Sequence, residues 1–154
     1  MFQARYILFY FLFLTTLLCS LSFAEEIKIK ENKRANYVLV NMHQDYITCY
    51  IFYKIGAEAI KSSEGKNDIT NGIDQSADTS LKFAFETGEL LGMSVDDMSA
   101  KVKVEMKSQS KEIQNDYNNV SKLLNKYGST CKNLIQDKKQ RIDFWEKKAL
   151  NKFK

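Results

Sequence analysis

No proline interrupts any of the 154 residues. Proline ends a helix more firmly than any other residue, because it has no amide donor and its ring collides with the preceding turn. A chain without it, holding only six glycines, is free to run in long helices. It is poorly supplied with the tight turns that a barrel or sandwich of many short strands needs. Hydrophobic residues are 44% of the chain and aromatics 12%, too much apolar character for a disordered segment. The expectation is an all-α protein, a bundle of four to five helices around one core.

The apolar residues are unevenly placed. Tyr6 to Leu18 carries no charge, and the only charged side chain before it is Arg5. Ser22 and Ala24 stand three and one places before an abrupt change to Glu25 and Glu26. Residues 1–24 therefore read as a secretory signal peptide cleaved near Ala24, with a periplasmic or extracellular address for the mature chain. An uncleaved inner-membrane anchor is the alternative, since Tyr6 to Ala24 spans 19 residues, close to the roughly 20 that cross a bilayer. Cys19 follows Leu18, where bacterial lipoprotein signals carry a small residue, and so reads as a passenger in the segment.

Beyond the segment two cysteines remain, Cys49 and Cys131. An even number in an oxidising compartment is expected to pair, with free thiols or an intermolecular bridge as the alternatives. A bridge closing about 80 residues removes roughly 4 to 5 kcal/mol of unfolded-state entropy.

Residues 25–33 are charged and read as a loose leader, and 34–154 as the helical domain. Within it, Ala35, Leu39, Met42, Tyr46, Cys49, Tyr53, Gly56 and Ile60 alternate at spacings of four and three, one side of a helix over about 34–62. Asn67 or Asp68 caps a second helix, about 69–91. Small residues recur at every fourth position there, Gly72, Ser76, Ser80, Ala84, Gly88 and Gly92. Such a ridge drifts around the helix, so about three members are expected to face one neighbour at a close crossing. Ser94 with Asp97 is a capping-box pattern opening a third helix, expected to reach about Tyr127 with a bend or exposed middle near 108–110 and Gly128 as its cap. Two short helices, 130–137 and 139–150, complete the bundle.

Charge is modest, +4 overall, which does not point to a nucleic-acid surface. It is polarised: nine acids against four bases over 64–105, and eight bases against three acids over 132–154. The lone histidine, His43, removes most catalytic triads and is expected on a helix flank. Asp74, Asp78 and their neighbours imitate a calcium loop but lack its glycine and its final glutamate. Glu86 and Glu89 have no Glu-x-x-His partner for a di-iron centre. No metal site, cofactor or catalytic residue is expected. An enzyme using carboxylates such as Glu86 or Asp116 is the least favoured reading. Asn119-Val120-Ser121 matches a glycosylation acceptor, a frequent coincidence.

Two surfaces are left as binding candidates. Tyr46, Tyr50, Tyr53, Tyr117 and Tyr127 are candidates for lining a groove, against ordinary core packing with the hydroxyl at the surface. Trp145 with Lys147, Lys148, Lys152 and Lys154 forms a basic end able to touch an anionic membrane or a partner, against a core role for the tryptophan.

The run Asn115-Asp116-Tyr117, Ser121, Leu124, Lys126-Tyr127, Cys131, Leu134, Arg141 and Trp145, preceded by a cysteine in the first long helix, resembles a loose group of small exported alphaproteobacterial proteins of unknown function. That resemblance covers about residues 40–148. It implies a periplasmic address and transfers no substrate or functional residue. The expected function is a non-enzymatic binding or interaction module of the cell envelope, its partner an envelope protein. The alternatives are a carrier of a lipid or other apolar ligand and a peripheral membrane-surface protein.

Overall fold

A computed structural model of the chain describes the backbone from Phe2 to Lys154 and the side chains of residues 28–154. The expected signal peptide, its cleavage point and Cys19 lie outside the described side chains. The chain is 88% helical in five helices, with no strand among the described residues. They are α1 (Phe2–Glu64), α2 (Asp68–Leu90), α3 (Val95–Glu112), α4 (Ser121–Gln136) and α5 (Lys138–Lys152), with a 3-10 turn at Tyr117–Asn119. Among residues 28–154 no helix is long and apolar enough to cross a membrane.

Helix α1 is the axis of the bundle and touches every other element. Its buried positions Met42, His43, Tyr46, Ile47, Cys49, Ile51, Phe52 and Ile55 cover more than one stripe, as a helix surrounded by neighbours requires. Residues 28–33, read as part of a loose leader, continue this helix with mostly exposed side chains. No glycine or proline there breaks it, and polar side chains at most of its exposed positions leave the helix little to bury.

Helix α2 starts at a reciprocal cap: Asn67 accepts from the Thr70 amide at 3.0 Å, and the Thr70 hydroxyl accepts from the Asn67 amide at 3.0 Å. It ends with Gly92 at φ +70°, where the Met93 amide reaches the Gly88 carbonyl at 3.0 Å and the Gly92 amide reaches that of Glu89 at 2.9 Å. A side chain at this left-handed position would be strained, which is why glycine stops the helix there. Of the small-residue row, Ser80, Ala84 and Gly88 are buried, while Gly72 and Gly92 are exposed. The ridge therefore supplies three contacts before it turns away, as its drift requires.

The Ser94–Asp97 capping box forms as expected. The third helix does not reach Tyr127. It stops at Glu112, and Gln114 and Asn115 take φ of +58° and +55°. Asn is among the few residues that tolerate this region, and Asp116 then accepts from the Asn118 amide at 2.9 Å to start the 3-10 turn. The polar triplet 114–116 is thus a chain reversal between two buried anchors, Ile113 and Leu123. Gly128 consequently lies inside α4 and caps nothing. Nor is the middle of α3 exposed throughout. Gln109 is fully buried and its amide donates to the Thr48 carbonyl at 2.9 Å.

Cys49 and Cys131 are bonded, with sulfurs 2.05 Å and Cα atoms 5.2 Å apart. Each is 1% exposed, so the bridge ties α1 to α4 inside the core.

Candidate functional site

Two contacts on α1 define the site. On one side His43 meets α2: its Nδ1 lies 2.8 Å from the Ala84 carbonyl. On the other, Asp45 meets α5: it accepts from Arg141 Nε at 2.7 Å, Arg141 Nη2 at 3.0 Å and Trp145 Nε1 at 2.6 Å. At about 100° per residue these two positions leave an arc of roughly 160° between them. Ala35, Val38, Leu39, Met42 and Tyr46 fall in that arc. Met42 and Tyr46 are buried at its bottom, Val38 and Leu39 are half-buried and Ala35 is exposed, so α2 and α5, held to the flanks, leave the arc open toward Ala35.

The result is a groove of about 530 Å³ running along α1. Phe83 and Leu90 form the α2 wall and Ile142 the α5 wall. The Phe83 ring packs 5.3 Å from Tyr46, and the Lys138 ammonium sits 5.2 Å over its face, closing one end. The other end is open: Leu90 there is 72% exposed. Glu86 and Glu146 stand exposed on opposite rims. With an apolar floor and charges on the rims, the arrangement has room for apolar groups of a ligand.

Of the five candidate tyrosines, only Tyr46 lines this groove. Tyr53 and Tyr127 both pack on Phe52, with centroids 5.1 and 6.4 Å away, in the core by α4. Tyr50 is half-buried against the core, and Tyr117 stands 46% exposed on the 3-10 turn. Sequence reading missed Val38, Phe83, Leu90 and Ile142, and the signal for them is the arc left open between two helix contacts, not residue type. Trp145 is half-buried, its ring 6.1 Å from Tyr37, while Lys147, Lys148, Lys152 and Lys154 are exposed.

His43 is not on a flank. It is 1% exposed, pressed between α2 and α3. A Cβ on Gly88 would collide with the Met98 sulfur and come within 3.2 Å of His43 Cε1, so glycine is what permits the crossing. The Ala84 carbonyl can only accept, so Nδ1 carries the proton and Nε2 is a bare acceptor with no partner among the described residues. Burial pushes the His43 pKa below 6.5; the Ala84 hydrogen bond opposes that and the nearby Lys101 charge adds to it.

Elsewhere the acids are structural. Asp74 pairs with Lys61 at 2.9 Å and Lys54 at 3.3 Å. Burial pushes the Glu112 carboxyl up, but hydrogen bonds from Lys126 at 2.8 Å and Tyr127 at 2.8 Å outweigh it and hold the carboxyl below its usual range. Asp116 caps the 3-10 turn, and Glu86, on the groove rim, lies 3.9 Å from Lys82 Nζ. No group of three or more His, Cys, Asp or Glu side chains able to hold a metal occurs among the described residues.

The fold and groove define an all-α protein with one disulfide and an open apolar trough. Compared with known proteins, the chain matches no family model, and neither a curated protein nor a solved structure similar to it was found.

Proposed function

We propose that this is an exported, non-enzymatic binding module of the cell envelope that takes apolar side chains of a partner protein into the groove between α1, α2 and α5. The observation that carries the reading is the trough itself: a continuous apolar floor of about 530 Å³, open to solvent and edged by charges. That volume suits several aliphatic side chains of a docked helix, the usual occupant of such a trough. An enclosed cavity would favour a carrier of a lipid or other apolar molecule, and exposed rims on both walls speak against one. The uncharged run Tyr6–Leu18, the small residues before Glu25 and the buried disulfide together support export through a periplasmic or extracellular route.

Photo-crosslinking in the producing cell tests the reading. A photoreactive residue at Val38 or Ile142 is expected to capture one protein partner, and the same residue at Lys122 on α4 to capture none. Mass spectrometry that finds a bound lipid and no protein adduct would replace the module by a carrier. N-terminal sequencing of the extracted chain, expected to begin at Glu25, tests the export step.

A further inference from the structure

The antiparallel packing of α5 on α1 brings together two basic segments that are more than a hundred residues apart in sequence. Arg34 Nη2 donates to the Phe153 carbonyl at 3.0 Å, and the Phe153 ring packs 5.8 Å from Tyr37. Lys152 lies over the same Tyr37 ring at 4.6 Å. The upstream end of the described part of α1, with Lys28, Lys30 and Lys33, therefore shares one end of the bundle with Lys148, Lys152 and Lys154 of the C-terminal end. All but the half-buried Lys30 are exposed. Glu31 and Glu146 belong to the same segments and Glu25 and Glu26 precede in sequence, so the six lysines and Arg34 outnumber the four acids. Apolar side chains are set among them: Ile29 is 48% exposed and Leu150 51% exposed.

We infer that this two-helix basic end docks on the surface of an anionic phospholipid bilayer, with Ile29 and Leu150 entering the headgroup boundary. Charge complementarity selects the partner. Clustered lysines with interspersed apolar residues are what an anionic interface attracts, each cation near the surface adding about 1 kcal/mol, or about fivefold in affinity. A purely soluble polyanion would gain nothing from the exposed Ile29 and Leu150. The same end lies downstream of the uncharged run Tyr6–Leu18, so docking and any anchoring by that run bring the same end of the bundle to the membrane. The inference does not depend on the groove.

Co-sedimentation of the full chain with vesicles decides it. Vesicles holding about one-third phosphatidylglycerol in phosphatidylcholine are expected to bind at least about tenfold more tightly than phosphatidylcholine alone, with the preference lost in high salt. The variants K148E/K154E and K28E/K33E, all at exposed positions, should each remove most of that preference while the thermal melt stays in place. The second variant matters most, since only the fold, through Arg34 and Tyr37, brings the segment carrying those lysines to the end of α5. Equal binding to both vesicle types, in wild type and variants alike, would show attachment through the apolar run alone and overturn the proposal. Tighter binding to heparin than to anionic vesicles, unaffected by Ile29→Ser and Leu150→Ser, would assign the surface to a soluble polyanion and overturn it as well.

Discussion

Helix α1 is gripped on two sides in different ways. Against α2 the contact is made by small residues: Ser80, Ala84 and Gly88 are buried, and the His43 side chain reaches the Ala84 carbonyl. Against α5 the contact is made by long polar and aromatic side chains, with Asp45 holding Arg141 and Trp145 and with Tyr37 packed edge-on to Trp145 and Phe153. The small residues of the first contact take no part in lining the groove, which is walled by the larger Phe83, Thr87 and Leu90 of α2 and by Lys138, Ile142 and Glu146 of α5. The size of the residues on α2 thus separates its closed crossing from the trough beside it.

The strongest challenge to this contrast is Gly88→Leu. Its side chain has no room between Met98 and His43, and the variant is expected to lose about 3 kcal/mol in a denaturant melt. A loss below about 1 kcal/mol would mean that the crossing is loose and the contrast unfounded. Removing the polar clamp on the other side, by Asp45→Ala, leaves Arg141 and the Trp145 indole without their acceptor and should cost about 2 kcal/mol. If the clamp, and not the core, holds α5, protease cleavage near Lys138 should accelerate in this variant before the melt of the rest moves.

The smallest effect concerns acid. Above the ordinary histidine pKa of 6.5 folded and unfolded chains both hold His43 neutral. Below it the unfolded chain takes up a proton while burial keeps the folded pKa depressed, so stability falls as pH drops through this window. Melts at stepped pH should show that loss in the wild type and less of it in His43→Gln. An identical acid profile in the two would assign the loss to carboxylates such as Glu112, which act at lower pH.

The helical class, the caps at Asn67 and Ser94 and the Cys49–Cys131 pair were legible because each rests on residues whose chemistry is local or unambiguous. The break after Glu112 was not, because Asn115 and Asp116, though weak helix formers, are also tolerated on an exposed helix face. Only the need to bury Ile113 and Leu123 on either side of a reversal distinguishes the two. Val95 and Ile69, 62% and 63% exposed at the starts of α3 and α2, are apolar residues that no neighbouring element covers. The groove was the least legible feature. It is a vacancy left by two neighbours, and single-residue chemistry cannot announce a vacancy.

The bond between Cys49 and Cys131 turns most of the chain into a covalent ring that contains all of α2 and α3. Outside the ring lie two arms, the chain before Cys49 and the chain after Cys131, held against it by packing and to each other by the Asp45–Arg141 contact. The α1 floor of the groove, its α5 wall and both halves of the basic end belong to these arms. A backbone cut in either arm therefore leaves the ring closed. One crosslink thus divides a covalently locked part of the protein from segments that noncovalent contacts alone hold in place.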